Sequence, residues 1–131
     1  MAGTCKVADF GCSKDLYGQV TDVAKTLKGT PRFMAPEVLR NHGRQGKGYT
    51  EKADVWSIGC TIVEMATGER PWPQFVENEA VMYHVGSGST ARPPAPDWVS
   101  AECKDFLDLC FARDPFERAP VKELLVHEMV V

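Results

Sequence analysis

The chain has 131 residues, with 15 Lys and Arg against 18 Asp and Glu, and 44% of it is hydrophobic. That is the size of one domain burying roughly two thirds of the surface its unfolded chain exposes, and the ordinary composition excludes disordered, collagen-like and low-complexity classes. A formal net charge of -3 argues against a nucleic-acid binder whose affinity rests on a basic face, though not against a small local basic patch.

Cys5, Cys12, Cys60, Cys103 and Cys110 form no C-x-x-C pair, and His42, His84 and His127 lie far apart, so zinc-site spacing is absent. Reduced, mostly buried thiols in an intracellular protein are the expectation. Residues Met1–Lys6 contain no basic region leading into an apolar run, which predicts no signal peptide. The most apolar run, Val55–Ala66, is too short and interrupted to span a bilayer. A soluble cytosolic or nuclear protein without a membrane or nucleic-acid partner follows, with cytoplasmic as the expectation.

Cys5–Phe10 reads as a short strand ended by Gly11. From Cys12 to Met34 the chain is polar, without a sustained period, and loops of that length inside compact domains are usually functional. Pro36 suits the first position of a short helix through Arg40, and Asn41–Gly48, with three glycines, reads as a surface loop. Asp54–Thr67 predicts a helix apolar nearly all round: Val55, Ile58, Gly59, Ile62, Val63 and Ala66 on one face, Trp56, Cys60 and Met65 over much of the rest. Such a helix is buried, and Gly68 is placed to end it.

After the break at Pro71-Trp72-Pro73, a weak helix is predicted over Asn78–Val85, then a loop from Gly86 to Pro96. Ser100 is a candidate N-cap for a helix burying Cys103, Phe106, Leu107 and Cys110, stopped by Asp114-Pro115. A last helix from Pro120 should bury Val121, Leu124 and Leu125 and end near His127. The fold class is mainly α: about five helices, long loops, one or two strands at most and no internal repeat.

Asp9-Phe10-Gly11 places a carboxylate at a strand end beside a glycine that frees the backbone, a suitable way to present a ligand to Mg²⁺. Alone, the tripeptide is more simply an acidic residue in a turn. It is followed in order by Gly29-Thr30-Pro31-Arg32-Phe33-Met34-Ala35-Pro36-Glu37, by Asp54-Val55-Trp56-Ser57-Ile58-Gly59, by Gly68-Glu69-Arg70-Pro71-Trp72 and by Cys110–Arg118. With these motifs at such spacing, the chain from Gly3 to His127 resembles the C-terminal lobe of a eukaryotic serine/threonine protein kinase, most like the MAP kinase kinase kinase branch.

The resemblance implies one partial kinase domain over 1–131, of α+β parent fold, with an activation segment at 9–37 and C-lobe helices at 38–131. It implies ATP and Mg²⁺ as cofactors of the complete enzyme, with Asp9 on the metal and Phe10 and Gly11 positioning it. A protein is the implied substrate, a MAP kinase kinase among the candidates. Thr30 would lie in the substrate-docking loop, and Thr21 and Thr26 are the candidate phosphosites, whose phosphates would order the loop by pairing with basic residues. Glu37 and Arg118 match the family's buried ion pair, and Asp54 its anchor for the catalytic loop; all three are structural.

The 131 residues contain no Gly-rich phosphate loop, no strand Lys with its Glu partner and no His-Arg-Asp catalytic loop with its Asn, so no catalytic base is present. Ala119 and Pro120 replace the Pro and Ser/Thr commonly found after the family arginine, and Asn41–Gly48 is longer than expected. Because phosphoryl transfer is mostly positioning and electrostatics, the chain alone is expected to be inactive and to bind no ATP tightly. If the absent parts uncover on the order of 500 Å² of apolar surface on the Asp54–Thr67 helix, the deficit is about 12 kcal/mol at ~25 cal/mol per Å², which predicts aggregation or a covering partner. The alternative is a short non-catalytic product acting as a binding module that competes for a kinase's substrate or partner.

Overall fold

The computed structural model describes residues 3–4, 6–10, 30–41, 50–88 and 90–131. In chain order these form a 3-10 turn, Pro31–Phe33, then α1 (Pro36–Arg40), α2 (Lys52–Thr67), α3 (Asn78–Gly86), α4 (Ala101–Cys110) and α5 (Val121–Leu124). No strand occurs among the described residues. The strand expected over Cys5–Phe10 is not formed at residues 6–10, where Val7 and Phe10 are exposed. A strand needs a neighbour to take its backbone hydrogen bonds, and none of the described residues pairs with this one. Gly11, Cys12 to Gly29 and the loop from His42 onward lie outside the described residues.

Local signals set most helix ends. Pro36 stands at the first position of α1, where a missing N–H costs nothing. The α2 helix starts at Lys52, two residues before the expected Asp54, and the Thr50 side-chain oxygen accepts the Lys52 N–H at 3.3 Å. Its end is Gly68, at φ 71°, whose N–H reaches the Glu64 carbonyl at 2.8 Å. Ser100 caps α4 by accepting the Cys103 N–H at 3.2 Å.

The core forms where α2 meets α4 and α3. Ala53, Val55, Trp56, Gly59, Cys60 and Val63 are the buried side of α2. At Gly59 the two helices approach so closely that a Cβ would stand 2.9 Å from the Cys110 Cβ and 2.8 Å from the Phe111 ring. The Phe111 ring meets Trp56 edge-on at 5.0 Å. Burial raises the Cys60 and Cys110 thiols to about 12, so both remain neutral. On α3, Val81 and Val85 are buried, and Gly86 lies beside Leu39 of α1.

Three expectations about burial and helix ends are corrected. The α2 helix is not covered all round: Ile58 is 43% and Met65 73% exposed, and with Asp54 and Thr61 they make an outward row at helical spacing. No described element lies over that row. The α4 helix ends at Cys110, where Phe111 turns into the core, before Asp114-Pro115 is reached. Asp114 instead organises the next turn: its side chain accepts the Phe116 N–H at 2.9 Å and its carbonyl the Arg118 N–H at 3.0 Å. In α5, Leu124 is buried with Val55, Phe106 and Cys110, while Val121 and Leu125 are exposed, since a helix of a single turn fits one side chain into that space. Among the described residues no helix is long and apolar enough to cross a membrane.

Candidate functional site

Asp9 is exposed and holds φ 63°, in the left-handed region that few residues with a Cβ adopt and that Asp tolerates better than most. Among the described residues its carboxylate has no hydrogen-bond or ion-pair partner, and no group of three His, Cys, Asp or Glu is arranged to hold a metal. An exposed carboxylate is the kind of hard oxygen donor that Mg²⁺ takes, and such sites use one or two protein carboxylates. Phe10, beside it, is 66% exposed. Gly11, Thr21 and Thr26 lie outside the described residues.

Thr30 is exposed and extended, and leads into the 3-10 turn through a bond from the Phe33 N–H to its carbonyl at 3.1 Å. The Ser57 hydroxyl of α2 donates to the Phe33 carbonyl at 2.8 Å and holds the turn against that helix. Between them Arg32 points inward, 3% exposed. Its Nη1 donates to the carbonyls of Pro71 and Trp72 at 3.1 and 3.0 Å, and its Nη2 to those of Phe75 and Val76 at 2.6 and 2.8 Å. The Arg32 Nε is buried without a partner. Trp72, itself buried, is at φ 62°, so the guanidinium gathers carbonyls from a turn with strained backbone.

A second guanidinium closes the other end of this segment. Arg118, fully buried in its side chain, meets Glu37 through two parallel bonds, Nη1 to Oε1 at 2.8 Å and Nη2 to Oε2 at 3.0 Å. Its Nε donates to the Ala112 carbonyl at 2.9 Å and its Nη1 also to the Lys52 carbonyl at 2.6 Å. In return the Lys52 ammonium donates to the Arg118 carbonyl. The Arg118 guanidinium lies 5.3 Å from the Trp56 ring centroid. Arg113 lies nearby and donates to the carbonyls of Ala91 and Val85; burial, then the neighbouring Arg40 charge, lowers its pKa.

The structure therefore brings Glu37 and Arg118 together and sets Thr30 at the edge of the same segment. Asp54 stands apart, exposed in the first turn of α2, where a negative charge suits the helix N-terminus. Its carboxylate has no partner among the described residues. Arg32, Ser57 and Trp72 escape sequence reasoning about the site. The one available signal is a charged residue set between Pro31 and Phe33, in a segment otherwise apolar through Pro36.

Comparison with known proteins decides the family. The protein kinase domain matches residues 1–130. The chain belongs to the protein kinase family. Over 129 residues it is 46% identical to Mitogen-activated protein kinase kinase kinase A of Dictyostelium discoideum, covering 98% of this chain and 13% of that protein. It is 42% identical over 129 residues to Mitogen-activated protein kinase kinase kinase 2 of Arabidopsis thaliana, covering 98% of this chain and 19% of that protein. Mitogen-activated protein kinase kinase kinase 4 of Homo sapiens is 42% identical over 133 residues, covering 98% of this chain and 8% of that protein. The kinase chain thus spans less than a fifth of each relative, and its likeness runs to the MAP kinase kinase kinase type.

Proposed function

We propose that residues 9–37 are the activation segment, and residues 38–131 the substrate-side helices, of a cytoplasmic serine/threonine kinase that transfers the γ-phosphoryl of ATP to a protein, with a MAP kinase kinase as substrate. The observation that carries this reading is the Glu37–Arg118 pair. It fixes the C-terminal end of the segment to Lys52 and to the turn after α4, so that Thr30 leads out of an anchored base. Thr30 serves the docking loop, Thr21 and Thr26 are the candidate phosphosites of the activation loop, and Asp54 anchors the catalytic loop of the complete enzyme. Asp9 would hold Mg²⁺, with Phe10 and Gly11 setting its position. When bound, the metal neutralises charge on the transferred phosphoryl group.

These 131 residues alone carry no base to accept a substrate hydroxyl proton and no Gly-rich loop or Lys for the nucleotide. By themselves they do not transfer phosphate or hold ATP tightly. Grafting this chain in place of the matching residues of the Dictyostelium relative tests the proposal. The graft should phosphorylate a MAP kinase kinase, Asp9→Asn should abolish that transfer, and the isolated chain should show none. Asp9-dependent ATP turnover by the isolated chain, or an inactive but well-folded graft, would refute it.

The uncovered row Asp54, Ile58, Thr61 and Met65 favours a second reading, a non-catalytic module that binds a partner through this face. The mass of the cellular product separates the two. A product well above 131 residues with upstream peptides supports the kinase, and a product of 131 residues supports the module.

A further inference from the structure

Between α4 and the turns that follow α5 lies an open groove of about 690 Å³. Ala101, Glu102, Asp105 and Leu109, at helical spacings of three and four, make one wall from a single face of α4. Glu123, Val126, His127 and Glu128 make the other. None of these residues belongs to the Thr30–Glu37 segment, to α2 or to α3. Its apolar lining comes from Ala101, half-buried Leu109 and Val126, which is 73% exposed. Its charge comes from the four carboxylates, all on exposed residues.

His127 ties the two walls together. Its Nδ1 accepts the Met129 N–H at 3.1 Å, which leaves the ring proton on Nε2, and Nε2 donates to the Asp105 carboxylate at 3.0 Å. The ring also meets Phe106 of α4 edge-on at 5.2 Å. A histidine in that tautomer is neutral, so it holds Asp105 without cancelling its charge. Among the described residues no lysine or arginine lines the groove or pairs with these carboxylates, and Lys104 of α4 turns its ammonium to the Asp97 carbonyl at 3.1 Å.

We propose that this groove docks a short segment of another protein in which apolar side chains alternate with lysines or arginines. An apolar side chain of the segment covers Val126 and Leu109, and the flanking cations meet the carboxylates. Neither part suffices alone, because exposed carboxylates hold cations weakly in water and three apolar residues bury little area. Together they select a segment that carries both. The same charge repels an anionic membrane or a nucleic acid. Because His127 fixes the walls before anything binds, the segment meets a groove already formed and the cost of ordering it is spared. The site lies apart from the proposed catalytic reading and does not depend on it.

The test uses the protein purified at the length the cell makes and a short fluorescein-labelled peptide that alternates leucine and lysine, followed by fluorescence anisotropy. This peptide should bind, and peptides with glutamate for lysine or serine for leucine should bind about fivefold more weakly or worse. Val126→Lys, and separately Glu123→Lys with Glu128→Lys, should each weaken binding of the leucine–lysine peptide by about fivefold or more. Glu77→Lys with Glu79→Lys, exposed carboxylates at the start of α3, should leave it unchanged. All five substituted residues are exposed, and an unaltered melting temperature checks that each variant folds. A protein that ignores the leucine–lysine peptide, including one whose groove is filled by a segment of its own chain, overturns the proposal. An equal loss in the α3 control, which reduces the attraction to net charge, overturns it too. So does undiminished binding of the serine peptide, which leaves a site for cations alone.

Discussion

Arg118 and Arg32 are both buried guanidinium groups, 1% and 3% exposed, at opposite ends of the segment that runs from Thr30 to Glu37. Arg118 is balanced by a carboxylate in a two-bond fork and has further carbonyls for its remaining donors. Among the described residues Arg32 has carbonyl dipoles alone, four of them, and one N–H without a partner. A full countercharge and a ring of dipoles thus both make a buried cation tolerable, but they fail differently. Removing the carboxylate strands a whole charge, whereas removing the other arginine strands neutral oxygens.

The difference can be broken at its stronger end first. Glu37→Ala leaves Arg118 uncompensated and should cost about 3–5 kcal/mol, read as a large fall in the denaturation midpoint or as loss of a cooperative transition. Arg32→Met strands four carbonyls, some of which water or relaxation will satisfy, and should cost about 2–3 kcal/mol by the same measurement. An Arg32→Met loss as large as that of Glu37→Ala would show that dipoles and charge are not separable here.

A double-mutant cycle sharpens the contrast. Glu37→Ala and Arg118→Met should couple by about 1–3 kcal/mol, while Glu37→Ala and Arg32→Met, which share no partner, should add within about 0.5 kcal/mol.

A separate effect is alkaline. Cys60 and Cys110 have folded-state pKa values raised by burial from 9.0 to about 12, with the Arg118 charge a lesser, opposing influence on both. The stability they contribute is therefore fully present below about pH 9 and lost as pH rises from there towards 12. Melting temperature followed across that window should fall, and Cys60→Ala should flatten the fall. A decline of equal steepness without Cys60 would assign it to other groups.

Much of the fold is legible because its signals are local. Pro36, Gly68 and Ser100 act on their own backbone or on residues within four positions, so α1, the end of α2 and the start of α4 can be placed from sequence. The strand over Cys5–Phe10, the all-round burial of α2 and the burial of Val121 and Leu125 each depend on what lies alongside, and periodicity carries no information about an absent neighbour. The end of α4 is set by Phe111 packing on Trp56, not by the proline that looks like the stop.

Within the site, Glu37 and Arg118 stand out as opposite charges in recognisable motifs, and Asp9 as a carboxylate before a glycine. The left-handed backbone of Asp9 leaves no mark in the residue order. The four partners of Arg32 leave none either, since every residue carries a carbonyl and nothing distinguishes those of Pro71, Trp72, Phe75 and Val76.

The 81-residue separation of Glu37 and Arg118 also sets a timetable for synthesis. At ~5–20 residues per second, roughly 4 to 16 s separate their appearance on the ribosome. From the synthesis of α2 until that of α4, the apolar side of α2 has emerged without the Phe111 ring that follows α4 and meets Trp56, and Glu37 stays without its arginine until residue 118. The nascent chain is thus open to chaperones and proteases until almost the whole lobe has been made. A translational pause just before residue 118 would lengthen that exposure and lower the yield of folded protein without changing a single amino acid.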